Sequence, residues 1–228
     1  MHEHNSEPEN SGCLHAKSHP DGRGIFVSFE GAECSGKSTQ ADLLVSWLQA
    51  HGFSVLHTRE PGGTDVGEAI RDMLLASPFG MAPSTEALLF AAARAEHADK
   101  VIQPALERGQ VVICDRYIDS SVAYQGYGLG LCPEEVLRIN RWALQIATPD
   151  LTILLGSGRE LHSAGQMEGL DRIESRDEAF HRRVRYGYAA LLQRHSERII
   201  AVDTARGIEA TADEIRRIFR LRFGPEEK

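Results

Sequence analysis

One short segment of the chain combines glycine, lysine and serine at a spacing that suits phosphate binding. Residues 31–38 read Gly-Ala-Glu-Cys-Ser-Gly-Lys-Ser, which fits the pattern Gly-x-x-x-x-Gly-Lys followed by Ser or Thr. Glycines let successive backbone N–H groups point at phosphate oxygens, and the helix that follows adds its positive end. Lys37 is placed to reach the outer phosphates, and Ser38 is placed to ligate Mg²⁺. The segment therefore predicts binding of a nucleoside triphosphate with Mg²⁺, rather than an ordinary surface turn.

An acidic residue at the end of an apolar run is the second candidate for this chemistry. The run 111–114, Val-Val-Ile-Cys, is followed by Asp115. A carboxylate in that place suits a contact with Mg²⁺, either direct or through water. The alternative is that Asp115 only orients Arg116, the residue that follows it. The sequence leaves both interpretations open.

Three arginines suit the binding of a second molecule that carries a phosphate group. Arg71, Arg94 and Arg116 lie in or beside segments that lead to the ends of predicted strands. The guanidinium group donates two parallel N–H bonds to a phosphate, which favours arginine over lysine where orientation matters. Each of the three could instead be an ordinary surface or ion-pairing residue. A phosphate-binding loop alone does not choose among GTPases, motor ATPases and small-molecule kinases.

The elements that must position these residues alternate between strand and helix. Short β-branched and aromatic runs predict strands, and apolar residues at helical spacing predict helices. Such alternation predicts a parallel sheet with helices on both faces and ligands outside the carboxyl ends of the strands. The expected fold class is α/β, a three-layer P-loop NTPase fold with a mainly parallel five-stranded sheet flanked by helices on both faces. The predicted strands are 25–29, 53–58, 110–114, 151–155 and 199–202, and the predicted helices beyond the one after the loop are 66–75, 85–107, 133–147, 173–195 and 210–219. Pro104 is expected to bend the end of the helix 85–107.

Length and composition bound the organisation of the chain. Its 228 residues suit one domain, expected at 24–228, and residues 1–23 lack the large apolar side chains that a folded segment needs, so they are expected to be a disordered leader. The net charge of −8 argues against binding of nucleic acid. No apolar stretch approaches the length of a membrane span, and four cysteines without a Cys-x-x-Cys pair suit reduced thiols. We therefore expect a soluble cytoplasmic protein with no membrane or nucleic-acid partner.

Three segments taken together resemble bacterial thymidylate kinases. They are residues 29–39 around the phosphate-binding loop, residues 58–64, which read Thr-Arg-Glu-Pro-Gly-Gly-Thr, and residues 115–126, which contain Asp-Arg-Tyr and Ser-Ser-Val-Ala-Tyr-Gln-Gly. The resemblance extends from about residue 24 to the final predicted helix. It implies transfer of the γ-phosphoryl group of ATP to dTMP, which gives dTDP for dTTP synthesis. It also implies Mg²⁺ as the metal and a homodimer as the assembly.

The same resemblance implies roles for individual residues. Arg71 and Arg116 are expected on the acceptor phosphate, and Arg94 near the base and the phosphate. Phe90 is expected to stack on thymine, with a place in the core as the alternative, and Glu33 is expected near the acceptor sugar and the metal. Together with the loop motif, the predicted donor-binding residues are Gly31, Ala32, Glu33, Cys34, Ser35, Gly36, Lys37, Ser38 and Thr39. The acceptor-binding set is Glu30, Arg59, Pro61, Arg71, Phe90, Arg94, Arg116, Ser121, Tyr124 and Gln125, the metal ligands are Ser38 and Asp115, and the catalytic residues are Lys37, Glu33, Arg116 and Arg172.

The segment that serves as a lid in the family, here about residues 156–172, departs from the pattern. Thymidylate kinases place an arginine over the γ-phosphate, where transfer needs charge neutralisation. Residues 171–174 keep the sequence Asp-Arg-Ile-Glu, but residues 161–170 hold no arginine, and neither do the variable loop positions 32–35. Arg159, Arg172 and Arg176 remain nearby, and Arg172 is the candidate for contact with ATP. Two alternatives therefore stay open: a nucleotide-binding homologue with weak catalysis, and a kinase of another nucleoside monophosphate.

Overall fold

Five parallel strands lie at the centre of the computed structural model, which describes residues 22–77, 79–156 and 171–224. Their order across the sheet is β2-β3-β1-β4-β5. The chain moves to one side of β1 for β2 and β3 and to the other side for β4 and β5, and such a reversal is where open α/β sheets bind ligands. The strands are β1 (Phe26–Gly31), β2 (Val55–Arg59), β3 (Val111–Asp115), β4 (Leu151–Gly156) and β5 (Ile199–Asp203).

Helices cover both faces of this sheet. Two π-helical segments, Ala98–Ile102 and Val122–Gly128, continue helices α3 and α5, and a 3₁₀ turn covers Thr204–Arg206. The described α-helices are α1 (Lys37–Ala50), α2 (Asp65–Leu75), α3 (Pro83–His97), α4 (Gln103–Glu107), α5 (Ile118–Ser121), α6 (Pro133–Ile139), α7 (Arg141–Ile146), α8 (Glu178–Arg194) and α9 (Ile208–Phe223).

The sheet separates two apolar cores because successive side chains of a strand point to opposite faces. Phe26 of β1 lies in one core, and its neighbour Val27 lies in the other. Tyr188 of α8 packs in the core of Phe26, whereas Leu44 of α1 and Phe219 of α9 pack in the core of Val27. The structure thus has a helical layer, a sheet and a second helical layer. The three-layer α/β class predicted from the sequence is confirmed, and each predicted strand is present with small changes at its ends.

Three helix starts beside the functional region have local causes. α1 begins after Gly36, whose φ of 84° lies in the left-handed region that suits glycine. Thr64 caps α2, because its side-chain oxygen accepts from the backbone N–H of Gly67 at 2.9 Å. Asp177 caps α8 in the same way, through a 2.7 Å bond from the N–H of Phe180. The capped ends fix where the segments before these helices enter the fold.

The helix predicted over 85–107 is present, and its irregularity lies near the end that Pro104 was expected to bend. The structure has α3 to His97, then the π-helical turn 98–102, then the short α4. Pro104 lies near the start of α4. Proline has no backbone N–H, so the i to i−4 hydrogen bond of a regular helix is lost at that place. The altered hydrogen-bond pattern next to Pro104 accounts for the interruption.

Three other boundaries also differ from the prediction. The predicted helix 133–147 divides at Asn140, whose side-chain amide donates to the carbonyl of Val136 at 2.8 Å. The predicted helix 173–195 begins only at Glu178, because Asp177 is the cap and residues 171–176 form turns. The helical stretch 118–128 was not predicted at all. Its apolar and polar residues lack a regular helical period, since it changes from α-helix to π-helix.

Two predicted features fall largely outside the described residues. The structure describes only residues 22 and 23 of the leader 1–23, and it leaves 157–170 of the lid 156–172 undescribed. Those predictions, and the domain bounds 24–228, stay predictions. Within the described ranges, no helix combines the length and apolar character that crossing a membrane requires.

Candidate active site

A cleft of about 340 Å³ opens at the carboxyl ends of the strands. It brings together most of the residues predicted for the site, from the loop after β1, the ends of β2 and β3, and helices α2 and α3. The predicted residues that line it are Glu33, Cys34, Lys37, Ser38, Arg59, Pro61, Arg71, Phe90, Arg94, Asp115, Arg116, Ser121, Tyr124 and Gln125. The lining also includes Glu60, Leu75, Ser120, Asp171, Ile173 and Glu174, which were not predicted.

The phosphate-binding loop is tightly packed against β4 and against its own lysine. Gly31 has a φ of 143°, and a Cβ atom there would lie 2.4 Å from the carbonyl oxygen of Leu155. No other residue type fits that place without displacing β4. The ammonium of Lys37 donates to the carbonyl of Ala32 at 2.7 Å, so the lysine lies folded over the loop. Burial lowers the pKa of Lys37 to about 8, and the positive charge of Arg116 adds to this effect.

Ser38 and Asp115 meet in the lining of the cleft. The hydroxyl of Ser38 donates to Oδ2 of Asp115 at 2.6 Å. Both side chains offer the hard oxygen atoms that Mg²⁺ prefers, and Mg²⁺ usually takes few protein ligands beside phosphate oxygens and waters. Among the described residues there is no cluster of three or more acidic, histidine or cysteine side chains that would form a metal cage. The pair therefore fits a Mg²⁺ ion that is bound together with a nucleotide.

Arg116 is held in the cleft by its surroundings. Its φ of 67° turns the backbone sharply after β3. Its guanidinium donates to the carbonyl of Gly31 and to the hydroxyl of Ser120, both at 3.1 Å, and lies 5.1 Å from the ring centroid of Tyr124. A fixed guanidinium loses little entropy when it binds an anion. Arg116 is thus prepared to bind a phosphate group in one orientation.

Glu33 faces Arg116 across the loop. It accepts a hydrogen bond from the hydroxyl of Tyr124, and its carboxylate lies 3.7 Å from Arg116 and 3.6 Å from Nδ1 of His181. Burial alone would raise the pKa of Glu33, but the charge of Arg116 and the bond from Tyr124 outweigh burial and lower it. Glu33 is therefore a carboxylate at neutral pH, which suits it to orient cations and hydroxyl groups.

Glu30 lies beneath the cleft and does not line it. It is fully buried and accepts from the N–H of Tyr117 at 2.8 Å and from the hydroxyls of Ser120 and Tyr188 at 2.5 and 3.0 Å. Burial raises the pKa of Glu30 to about 7, with the nearby carboxylate of Asp119 adding to the effect. In this position Glu30 does not reach the cleft, where it was predicted to contact the substrate. The residue supports Ser120 and, through it, Arg116.

Arg94 borders the cleft, but its donors are already engaged. It is 1% exposed and donates to the carboxylate of Glu60 at 2.7 Å, to Ser121 at 2.9 Å and to Asn140 at 2.6 Å. A further bond goes to the carbonyl of Tyr117 at 3.1 Å. The arginine thus orients Ser121, which faces the cleft. Glu60 was not predicted, although it lies in the sequence between Arg59 and Pro61, which were, and that position could have indicated it.

Arg71 and Arg59 lie toward the opening of the cleft. Arg71 donates to the carbonyl of Pro61 at 2.8 Å, and Arg59 pairs with Glu68 at 3.2 Å. Arg71 is half-buried, whereas Arg59 is largely exposed. Phe90 lines the cleft and also packs against apolar side chains of the core. The packing agrees with a place in the core, and stacking of Phe90 on thymine stays a prediction.

Arg172 does not line the cleft, although residues on both sides of it do. Its guanidinium donates to the carbonyl of Leu74 at 2.8 Å and to the carboxylate of Glu86 at 2.7 Å. Arg176 also binds Glu86, at 2.7 Å. The catalytic role suggested for Arg172 stays a prediction, and Arg159 lies outside the described residues.

Comparisons with known proteins point to one family. A family model described as "Thymidylate kinase" matches residues 29–215. A thymidylate kinase of Exiguobacterium is 48% identical over 195 residues, which cover 84% of this chain and 92% of that protein. A thymidylate kinase of Alkalilimnicola ehrlichii is 48% identical over 192 residues, 82% of this chain and 88% of that protein. The crystal structure of thymidylate kinase from Ehrlichia chaffeensis superposes with a TM-score of 0.71 at 31% identity, covering 87% of this chain and 99% of that chain.

Proposed function

Because the chain belongs to the thymidylate kinase family, we propose that it transfers the γ-phosphoryl group of ATP to dTMP and releases ADP and dTDP. One observation carries this proposal: the phosphate-binding loop with Lys37 and the acceptor-side arginines Arg71 and Arg116 border the same cleft. A donor phosphate and an acceptor phosphate bound there would lie next to each other. That juxtaposition is what phosphoryl transfer requires.

The donor side is formed by the loop after β1. Its backbone N–H groups and the ammonium of Lys37 bind the phosphates of ATP, and the start of α1 adds a positive dipole end. Ser38 and Asp115 hold Mg²⁺ with the nucleotide, a role that their 2.6 Å contact supports. The ion neutralises charge on the phosphates when it is bound. The loop residues outside the cleft lining, Gly31, Ala32, Ser35, Gly36 and Thr39, contribute through the backbone conformation.

The acceptor side is formed by residues beyond β2 and β3. Arg116 and Arg71 bind the phosphate of dTMP, and Phe90 packs against the thymine ring. Ser121 and Gln125 offer polar atoms to the edge of the base, whereas Tyr124 and Glu33 lie near the deoxyribose. Their common membership of the cleft lining supports this arrangement. Arg94 acts by orienting Ser121, and Pro61 and Arg59 lie near the opening.

Transfer at this site needs positioning and positive charge more than it needs a base. An oxygen of the dTMP phosphate forms a bond to the γ-phosphorus, and the bond from that phosphorus to the β,γ-bridging oxygen breaks, so the electron pair leaves with ADP. The attacking phosphate oxygen is ionised at neutral pH, so no proton has to be removed. Lys37 and Arg116 stabilise the charge on the oxygens around the transferred group.

The assembly and the location are further parts of the proposal. We expect a homodimer in the cytoplasm, as the family resemblance implies. Size-exclusion chromatography with light scattering tests the assembly: a mass near twice the 25.2 kDa of the chain is expected. A single-chain mass at micromolar concentration would contradict the dimer.

Identification of the product tests the proposed reaction. ³¹P NMR or ion-exchange chromatography of a mixture of protein, ATP, Mg²⁺ and dTMP is expected to show dTDP and ADP in equal amounts. A Lys37→Met preparation, made in the same way, controls for contaminating kinases. Formation of ADP without dTDP would instead indicate an ATPase. Binding of both nucleotides without any product would favour the nucleotide-binding homologue.

A further inference from the structure

A buried carboxylate beside the cleft accepts hydrogen bonds from three side chains. Glu86, in the first turn of α3, is 0% exposed. Its Oε2 accepts from Arg172 and from Arg176, each at 2.7 Å. Its Oε1 accepts from Arg176 at 3.2 Å and from the side-chain amide of Gln125 at 3.1 Å. Because a buried charge is costly unless it is paired and hydrogen-bonded, removing one partner disturbs all of them.

The ionised form of Glu86 is favoured by these partners. Burial alone would raise the pKa of Glu86, but the hydrogen bonds from Arg176 and Arg172 outweigh burial and lower it. The carboxylate is therefore present at neutral pH. Arg172 and Arg176 both bind this one carboxylate.

Arg172 extends this cluster to the end of α2. Its Nε donates to the carbonyl of Leu74 at 2.8 Å, and its backbone N–H lies 3.4 Å from the carbonyl of Leu75. Leu75 lines the cleft. The Arg172 side chain thus joins the end of α2 to the start of α3. Three chain segments, 74–75, 86 and 171–176, meet through two side chains.

The side chains of the segment 171–176 point to two different places. Asp171 closes the turn by accepting from the N–H groups of Ile173 and Glu174 at 2.7 and 2.9 Å. Asp171, Ile173 and Glu174 line the cleft, whereas Arg172 does not and instead binds Glu86. The arginine therefore fixes which side chains of the turn face the cleft.

We propose that Glu86 and Arg172 are positioning residues that set the acceptor-side wall of the cleft. The wall consists of Leu75, Gln125 and Ile173, each of which is attached to the Glu86–Arg172 pair directly or through its neighbour in the chain. The inference rests on the proposed function, because the task of the wall is to bind dTMP. It assigns Arg172 to the wall and not to contact with ATP.

Steady-state kinetics of three variants tests the proposal. Glu86→Gln removes the charge at nearly constant volume, Arg172→Ala removes the bridge, and the third variant combines both. Each single variant is expected to raise the KM for dTMP by roughly 10- to 100-fold, because a displaced wall loses pocket contacts that are worth a factor of that order. The KM for ATP is expected to stay within about threefold, and the double variant to be no more than about twofold worse than the worse single variant, since the two residues act as one unit.

An exposed ion pair on α9 provides the matched control. Glu214 and Arg217 lie 2.6 Å apart, away from the cleft lining. Glu214→Gln and Arg217→Ala repeat the two chemical changes and are expected to leave both KM values at those of the unmodified protein. Arg172→Lys keeps the charge but lacks the forked donors, so it is expected to restore the KM for dTMP only in part.

Two kinetic results would overturn the proposal. The first is a higher KM for ATP, or a lower kcat, in Arg172→Ala with the KM for dTMP unchanged, since that would place Arg172 on the donor. The second is an unchanged KM for dTMP in Glu86→Gln. If Glu86→Gln does not fold, as thermal melting will show, Arg172→Ala and Arg172→Lys carry the same comparison.

Hydrogen–deuterium exchange of the protein without nucleotide separates the wall from the proposed reaction. The amides of residues 172–176 are expected to exchange faster in Glu86→Gln and Arg172→Ala than in the unmodified protein and in Glu214→Gln. Equal exchange rates in all four proteins would overturn the proposal. If the unmodified protein neither binds nor phosphorylates dTMP, the proposed function fails, and the exchange rates still decide whether Glu86 and Arg172 hold the turn.

Discussion

Lys37 and Arg116 bring positive charge into the cleft under different constraints. Lys37 is 7% exposed, with its ammonium folded onto the carbonyl of Ala32. Arg116 is held by Gly31, Ser120 and the ring of Tyr124. The lysine can titrate near physiological pH, whereas the arginine cannot. We therefore expect a dependence on pH from Lys37 but not from Arg116.

Replacing Lys37 by methionine is expected to abolish most of the transfer rate. The variant keeps a side chain of similar length but loses the positive charge that stabilises the transferred phosphoryl group. This loss should lower kcat by roughly 10²- to 10³-fold. Coupled assays of ADP release at saturating ATP and dTMP measure the effect. Lys100→Met is the control, since Lys100 is 63% exposed and paired with Asp99. Equal rates for Lys37→Met and Lys100→Met would remove Lys37 from the mechanism.

The pH dependence of kcat/KM for ATP should report the titration of Lys37. Burial lowers the pKa of Lys37 to about 8, and kcat/KM reflects groups of the free enzyme. Loss of the proton removes a positive charge that binds phosphate, so kcat/KM is expected to fall as the pH rises above about 8. In Lys37→Arg, the charge persists, and the residual activity should lack this alkaline decrease. A flat profile to about pH 9.5 in the unmodified protein would contradict the assignment.

At the scale of elements, α3 organises the acceptor side because its residues face one way at helical spacing. Glu86, Phe90 and Arg94 recur every four residues and lie on one face of the helix. Glu86 binds the 171–176 turn, Phe90 borders the cleft and Arg94 orients Ser121. One helix thus positions the carboxylate that binds the turn, an aromatic ring in the cleft and the arginine that orients Ser121.

The N-cap of α8 should have a measurable effect on stability. Asp177 accepts from the N–H of Phe180 at 2.7 Å, and α8 starts there rather than at the predicted residue 173. Asp177→Ala is expected to lower the free energy of unfolding by about 1 kcal/mol, whereas Asp177→Asn keeps the acceptor and should lose only a small part of that. Urea denaturation followed by circular dichroism measures both. Equal midpoints for Asp177→Ala and the unmodified protein would show that the cap contributes nothing.

At the scale of the whole molecule, a buried polar network connects strand β1 with helices α5 and α8 and with the residue before β5. Glu30 of β1 binds Ser120 of α5 and Tyr188 of α8. Asp119 lies next to Ser120 and pairs with Arg198 at 2.7 Å, just before β5. Because burial raises the pKa of Glu30, this network makes the stability of the fold depend on pH.

The stability of the protein is expected to fall as the pH rises through the titration of Glu30. Burial raises the pKa of Glu30 from 4.5 to about 7, so the folded state binds this proton more tightly than the unfolded chain does. The stabilising contribution is therefore complete below about pH 4.5 and is lost as the pH approaches and passes 7, with at most about 3 kcal/mol at stake.

The variant Glu30→Gln removes this titration. Between pH 5 and pH 8, thermal or urea unfolding should show a smaller loss of stability for Glu30→Gln than for the unmodified protein, by about 1 to 3 kcal/mol. Glu135→Gln, at an exposed pair with Arg138, should keep the slope of the unmodified protein. Identical slopes for Glu30→Gln and the unmodified protein would contradict the raised pKa.

The strands were predictable because their apolar runs are short, continuous and separated by clear turn signals. The order of the strands was not predictable, since it depends on contacts between distant segments. The helix predicted over 85–107, with its end bent at Pro104, is present, but the π-helical turn at 98–102 was not predictable, because the sequence pattern does not show how the chain adjusts its hydrogen bonds before a proline. Asn140 divided another predicted helix through its side-chain bond to Val136, which spacing alone does not reveal.

The phosphate-binding residues were predictable because they lie in one contiguous motif whose spacing follows from its chemistry. Of the proposed acceptor wall, Gln125 was predicted from the family resemblance, but Leu75 and Ile173 were not, because they are distant from it in sequence and are connected to it through Glu86 and Arg172. Glu86 gave no signal, since an acidic residue in the first turn of a helix is ordinary. Arg172 was singled out for its place in Asp-Arg-Ile-Glu, but its partners could be found only in the structure.

The release of ADP with different acceptors tests the central claim most directly. Initial rates are measured with ATP, Mg²⁺ and each of dTMP, dUMP, dCMP, dGMP and AMP, in protein whose dTMP binding is measured by calorimetry. We expect turnover with dTMP in the range of about 1 to 100 per second that kinases show, and much slower turnover with the other acceptors. Silence with every acceptor in protein that binds dTMP would contradict the account and indicate a nucleotide-binding homologue, and equal rates with dTMP and dCMP would contradict the assigned acceptor.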